Sequence, residues 1–221
     1  MDKIVLTKTD KLAIKKNDSN YIKSKGADYY SKGDYTKAVE YYHLAASMGD
    51  INAVSNLGYC YLYGRSIEPN LELAISYLEI AASRGSVDAA YKLGDIYGGD
   101  KWSVADKEMS IYYYRMAASY IIEGDWEDDE SILYNDELTR YPSLCFALGR
   151  EKMPNGDMNT DLDLSYQFLK QAERGYKIEL ANGNSFYEKA YNSVIECLND
   201  KIFNEIKEKY ENCEDEDYTL L

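Results

Sequence analysis

Small and apolar residues return along this chain at fixed distances, with polar residues filling the intervals. Ala53, Leu57, Gly58, Tyr61, Tyr77, Ala81 and Ala82 recur 36 residues later as Ala89, Leu93, Gly94, Tyr97, Tyr113, Ala117 and Ala118. Within each block these positions fall mostly three or four apart, which is the spacing of one helix face. Two such runs per period, parted by a polar break, predict a helical hairpin, with helices over 52–63 and 71–83 in the best-formed copy. A hairpin of this size cannot bury its apolar face alone and has to stack on its neighbours.

The first copy is shorter. Gly26 precedes Ala38 by 12 residues, whereas Gly58 precedes Ala74, and Gly94 precedes Ser110, by 16. Its second half keeps phase, because Ala38, Tyr41, Ala45, Ala46 and Gly49 stand 36 residues before Ala74, Tyr77, Ala81, Ala82 and Gly85. The missing four residues therefore belong to the loop inside the hairpin. A fourth, degenerate copy follows in Leu144, Leu148 and Gly149, then Phe168, Ala172 and Gly175. Gly26, Gly58, Gly94 and Gly149 on the first helices, and the alanine pairs 45/46, 81/82 and 117/118 on the second, let two helices approach closely. A glycine inside a helix costs about 1 kcal/mol relative to alanine, so packing has to offset it. Gly49 and Gly85 stand where a left-handed helix end is wanted. Asp34, Asn70, Asp106 and Thr160 stand where helix N-caps are wanted.

The pattern A-x3-L-G-x2-Y-x2-G, followed by A-x2-Y-x3-A-A-x2-G, resembles the Sel-one-like repeat. Ala53 to Gly64 and Ala74 to Gly85 match it nearly throughout, and Ala89 to Ala118 matches with Ser110 in place of an alanine. The first copy, with Gly26-Ala27-Asp28-Tyr29-Tyr30 and Gly33 to Ala38, is closer to the sister tetratricopeptide repeat. The resemblance spans residues 18–118 well and 141–175 weakly. It implies an all-α, right-handed α-solenoid of about four helix-turn-helix repeats. It also implies an adaptor that holds a partner on its concave surface. A cysteine-rich branch of the family is linked to β-lactam binding. The four cysteines here (Cys60, Cys145, Cys197, Cys213) do not recur with the repeat, so that property does not carry over.

The remainder is read from its own pattern. Residues 1–17 carry five lysines and no helical period, and are expected to form a poorly ordered arm or a short appendage. The solenoid is expected over 18–183, with an acidic insertion over 119–140. The interval from Ala118 to Leu148 is 30 residues against 11 from Ala82 to Leu93, and the excess holds Trp126, Asp128 and Asp129. Such an insertion is either a solvated loop or a partner-facing feature. Ser185 to Glu188 reads as a capping box. Phe186, Ala190, Val194, Cys197, Ile202, Phe203, Ile206 and Tyr210 then mark a capping helix or helix pair over 184–212, with a break at Asn199-Asp200 and an acidic tail over 213–221.

Charge narrows the function classes. Thirty-nine acids against 25 Lys plus Arg give a net charge of −14, which repels nucleic-acid phosphates and anionic lipid and favours a basic protein or peptide. No run of 18 apolar residues exists to span a membrane. The apolar stretch near Met1 is too short for a secretory signal. Unpaired cysteines then read as reduced thiols, and the cytoplasm is the expected compartment. The 24 tyrosines suit both the packing of a thin solenoid and a recognition surface.

Catalysis finds little support. His43 is the only histidine, with no base-and-nucleophile constellation around it, and no nucleotide, hydrolase or zinc motif occurs. Asp157, Asn159, Asp161 and Asp163 imitate a calcium loop, but Leu162 replaces the glycine and Phe168 the glutamate that such a loop needs. No metal and no cofactor are expected. The first helices should line the concave face. Their outward positions are Asn20, Lys23 and Tyr30, then Asn52, Ser55, Tyr59 and Tyr63, then Asp88, Tyr91 and Asp95, then Phe146 and Arg150. The expected function is a non-enzymatic module binding a basic segment there, as a monomer. An inhibitor or neutraliser of another protein, an enzyme with an unrecognised site and a purely structural subunit are the alternatives.

Overall fold

The computed structural model describes residues 5–122, 136–153 and 161–213. Among them there is no β-strand, and eleven α-helices follow one another. They form two compact units, Met1–Ala117 and Ala118–Leu221. The first unit holds α1 (Lys8–Lys15), α2 (Ser19–Ser31), α3 (Tyr35–Ser47), α4 (Ile51–Tyr63), α5 (Leu71–Ala82), α6 (Val87–Gly98) and most of α7 (Lys107–Ile122). The second holds α8 (Pro142–Glu151), α9 (Leu162–Ala181), α10 (Glu188–Leu198) and α11 (Asn204–Cys213).

In the first unit α2 packs on α3 and α4 on α5, while α3 on α4 and α5 on α6 join successive hairpins. The architecture is the all-α stack of hairpins that the period implies. The first hairpin turns through residues 32–34 and the second through 64–70, which is the four-residue difference expected. The caps explain where helices begin. Asp34, Asn70 and Asp106 accept from the amides of Lys37, Leu73 and Met109 at 3.2, 2.9 and 3.1 Å. Gly49 and Gly85 take φ of +92° after α3 and α5, and the next amide returns to the Ala45 or Ala81 carbonyl at 3.1 Å.

The helices of each hairpin meet where the first one carries glycine. A Cβ at Gly58 would lie 2.8 Å from Leu78 Cγ, one at Gly94 2.5 Å from Tyr114 Cδ1, and one at Gly26 2.8 Å from Tyr42 Cδ1. In the second unit Gly149 stands in the same way 2.9 Å from Leu169 Cγ. Beside this contact three tyrosine pairs stack: Tyr29 on Tyr41, Tyr61 on Tyr77 and Tyr97 on Tyr113, with centroids 5.5, 5.4 and 5.7 Å apart. Much of the tyrosine content is therefore packing.

The glycine contact also corrects the fourth copy. Ser165 occupies the place of Ala74 and Ser110, donating to the Gly149 carbonyl at 2.8 Å as Ser110 does to that of Gly94 at 2.9 Å. Four residues earlier stands Asp161, and it is Asp161 that caps α9, accepting from Leu164 N at 3.0 Å. Thr160 lies outside the described residues. Gly175 follows Ala172 as Gly85 follows Ala82, but it does not end its helix, since α9 continues to Ala181 and stops before Gly183 at φ +88°. Gly175 instead admits the carbonyl of Thr139, from the short 3-10 turn Asp136–Arg140.

From residue 5 the N-terminal segment takes the second of the two expected forms, a short helical appendage rather than a poorly ordered arm. Thr7 and Asp10 form a reciprocal capping box that opens α1. Asp10 is fully buried, held by Lys25 Nζ at 2.6 and 2.8 Å and by the Tyr41 hydroxyl at 3.0 Å. Ala13 joins Ile22, Tyr41, Ala45 and Ala53 in one cluster. Lys8, Lys11, Lys15 and Lys16 are exposed along this short helix and at its end.

At the other end the break at Asn199-Asp200 appears as expected, with Asp200 accepting from Ile202 N at 3.1 Å. Val194 and Phe203 are fully buried, and Asp163 of α9 holds Lys209 and Tyr210 of α11 at 2.7 and 2.8 Å. The capping box does not form: α10 starts at Glu188 with Tyr187 in the cap place making no side-chain bond, and Phe186 is 82 % exposed. A 3-10 turn over Ser185–Tyr187 occupies the place where the box would sit.

Two outcomes follow from these contacts. Ala normally stabilises a helix over Gly, yet Gly94→Ala should destabilise the chain by about 1–3 kcal/mol because the added methyl meets a ring. Chemical denaturation reads the sign, and a gain in stability would refute the contact. For Asp10, burial acts to raise the carboxyl, and Lys25, the Thr7 amide and hydroxyl and Tyr41 outweigh it, holding it at about 2 against 3.8. A depressed carboxyl contributes stability above its unfolded value and loses it as pH falls towards the folded one. The stability gap between the wild type and Asp10→Asn should thus narrow by about 2 kcal/mol between pH 4 and pH 2, as denaturation across that range would show.

Candidate functional site

Helices α2, α4 and α6, the first helices of the three hairpins of the first unit, bring side chains together around one open groove of about 490 Å3. Lys23 and Tyr30 come from α2, Asn52, Ser55, Asn56 and Tyr59 from α4, and Asp88 from α6, with Tyr42 of α3 completing the wall. The placement follows from helical phase. On α4 the buried residues include Ala53, Leu57 and Cys60, with Ser55 buried at the groove floor, while Asn52, Asn56 and Tyr59 stand on the more open faces. Gly26 has no side chain to stand between α2 and the Tyr42 ring, so that ring reaches the groove from a second helix.

The polar groups of this groove are mostly uncommitted. Among the described residues the side chains of Lys23, Asn52, Ser55, Asn56 and Asp88 make no hydrogen bond or ion pair within the protein. Tyr59 is fixed, its hydroxyl donating to the Asp88 carbonyl at 3.3 Å, and burial pushes that hydroxyl well above the ordinary tyrosine value. Lys92 lies over the Tyr59 ring at 5.8 Å and pairs with Asp95 at 2.8 Å. Burial works against the Lys92 charge, and Asp95 with Tyr59 more than restores it, so its pKa stands above the usual lysine value. Asp95 also accepts from the Tyr114 hydroxyl at 2.8 Å.

Six of the twelve residues expected on the binding face line this groove: Lys23, Tyr30, Asn52, Ser55, Tyr59 and Asp88. Tyr63 continues from it, stacked 6.4 Å from Tyr59 and meeting Trp102 edge-on at 6.0 Å, with Lys101 over both rings. Tyr91 packs on Tyr114 at 5.7 Å, and Asp95 is engaged as described. Asn20 is exposed at the start of α2 and is not on the groove wall. Phe146 and Arg150 belong to the second unit, where the guanidinium lies 5.7 Å over the ring. Asn56 and Tyr42 were missed. Asn56 directly precedes the Leu57-Gly58 pair, on the line of side chains adjacent to the one counted as outward, and a groove between two helices takes both lines.

The other candidates resolve into structural roles. His43 is exposed on α3 and does not line the groove. Burial pushes the Cys60 and Cys145 thiols up to about 11 and about 12, so both are held as thiols. Of the calcium-like series, Asp161 is a helix cap and Asp163 an ion-pair partner, while Asp157 and Asn159 lie outside the described residues. No cluster of metal-binding side chains occurs among the described residues, and no described helix is long and apolar enough to cross a membrane. Trp126, Asp128 and Asp129 of the acidic insertion lie outside the described residues.

Comparison with known proteins follows the same division of the chain. The Sel1 repeat model matches residues 51–86 and 87–119, and the tetratricopeptide repeat model matches 19–52. Among solved structures, a Sel1 repeat protein from Oxalobacter formigenes is similar at 19 % identity, covering 72 % of this chain and 73 % of its own, with a TM-score of 0.45. The protein c5321, a protective antigen present in uropathogenic Escherichia coli strains and displaying an SLR fold, is similar at 19 % identity, with 84 % and 45 % covered and a TM-score of 0.48. No curated protein shows a significant match. Residues 19–119 are thus a run of family-matched repeats, a tetratricopeptide repeat over 19–52 followed by Sel1 repeats over 51–119, and such repeats are scaffolds for protein–protein interaction.

Proposed function

We propose that this chain is a non-enzymatic binding module whose groove on α2, α4 and α6 holds an extended segment of a partner protein. The observation that carries this reading is the set of uncommitted polar side chains, Lys23, Asn52, Ser55, Asn56 and Asp88, between the tyrosine walls Tyr30, Tyr42 and Tyr59. Amides at i and i+4 on α4 can bond a main chain laid along the groove, while tyrosine offers area at low entropic cost. The net charge of −14 favours partners of opposite sign at long range, so a basic protein is the class we assign.

Panning short random peptides against the full chain, followed by titration of the best binder, tests this. Tyr59→Ala should weaken binding about tenfold or more, as loss of a central aromatic at an interface commonly costs 1–2 kcal/mol or more. Asn56→Ala should weaken it less. Association should slow as salt rises, with dissociation little changed. Unaltered binding by both groove variants would place the interface elsewhere. Asp95→Ala is expected to act differently: it strips Lys92 and the Tyr114 hydroxyl of their partner and should cost about 1–3 kcal/mol of stability in a denaturation curve. A stable Asp95→Ala chain with impaired binding would put that carboxylate at the interface instead.

A further inference from the structure

We infer that the groove receives its segment in one fixed direction, with an acidic group of the segment against Lys23 and a basic group against Asp88. The inference rests on the groove reading above and adds the chemistry of the ligand to it.

Lys23 and Asp88 are opposite charges on the wall of a single groove, contributed by α2 and α6 with α4 between them. Several other charges on these helices and their neighbours are answered inside the protein, while Asp28 of α2 is exposed and does not line the groove. Lys25 holds Asp10 at 2.6 Å, Lys37 holds Asp34 at 2.6 Å, and Lys92 holds Asp95 at 2.8 Å. Lys23 and Asp88 are answered neither by each other nor by any described residue. Asp88 contributes only its main-chain carbonyl, which is occupied by the Tyr59 hydroxyl at 3.3 Å and leaves the carboxylate free.

A ligand with one charge of each sign, in the matching order, meets two attractions. The same ligand reversed meets two repulsions, and like charges set against each other are the stronger source of discrimination at an interface. Asn52 and Asn56 between the two ends can donate and accept equally, so they bond a main chain laid in either direction. Direction is therefore left to the charges. The overall negative field and this local arrangement act on different scales. The field falls off over about 8 Å at physiological salt and draws in a basic partner, whereas the two groove charges act in contact and set its register.

The test uses two terminally blocked synthetic peptides of identical composition, derived from a groove binder selected by panning, that differ only by exchange of the acidic and basic residues. The wild-type chain should prefer one order by about tenfold in titration. The double variant Lys23→Glu with Asp88→Lys should prefer the other order. Both side chains lie at a surface-facing groove, so thermal melting of the double variant should match the wild type. The neutral variant Lys23→Gln with Asp88→Asn should bind both peptides and lose the preference, which keeps the test open should the charge swap fold poorly. Tyr59-dependent binding that ignores charge order would overturn the fixed direction alone. Peptide binding that is indifferent to Tyr59→Ala would overturn the groove itself.

Discussion

The rest of the structure depends on a close approach repeated once in every hairpin: a glycine on the first helix faces the large side chain of the second. Gly26 faces Tyr42, Gly58 faces Leu78, Gly94 faces Tyr114 and Gly149 faces Leu169, and in each case a methyl group would intrude on occupied space. Dense interiors relax poorly against such an intrusion. Glycine carries a helix-propensity penalty at each of these positions, about 1 kcal/mol, and the close packing it permits offsets that penalty and draws the hairpin shut. With the separation of the two helices set in this way, buried Ala45, Ala81 and Ala117 and the stacked tyrosine pairs fill the narrow interior that remains.

The groove is a consequence of the same close approach. Once Gly26 and Gly58 turn inward, the rotation of α2 and α4 is decided: Lys23 and Tyr30 flank Gly26 at the edge of the packed face, with Tyr30 against the core, and Asn52, Asn56 and Tyr59 lie further round α4 from Gly58. Burial decides which aromatics pack. Tyr29 stacks on Tyr41 and Tyr61 on Tyr77 within the hairpins, while Tyr30, Tyr42 and Tyr59 pack on their own neighbours and still border the groove. Pairing decides which polar groups remain available. Lys25, Lys92 and Asp95 sit on the same helices as the groove residues and are consumed by internal partners.

Two levels of electrostatics coexist in the chain. A net charge of −14 sets a field that acts on approaching molecules and is weakened by salt. Within the structure, the buried Asp10 is stabilised by an ammonium, an amide and a hydroxyl at hydrogen-bonding distance. The Asp163 carboxylate likewise anchors α11 to α9 through Lys209 and Tyr210. Both acids join segments distant in sequence, and both sit near the first turn of a helix, where a negative charge is favoured.

By itself the sequence determined the hairpin period, the short loop of the first copy, the caps at Asp34, Asn70 and Asp106, and the break at Asn199-Asp200. These are local features: helical periodicity and capping are settled by residues within about four of one another, so they are visible in a linear reading. It also placed six groove residues, because outward phase is the complement of the buried stripe. Only the tertiary structure decided the remainder. The Lys25 and Tyr41 partners that order α1 lie 15 and 31 residues from Asp10, and nothing in the lysine-rich segment points to them. The fourth copy needed the Ser165 bond to Gly149 to correct its register by one residue. Tyr42 and Asn56 became groove residues, and Asp95 a structural one, through neighbours on other helices and on the next turn. Phase states which way a side chain points; whether a partner waits there depends on how closely the helices pack, and that distance is a property of the folded chain.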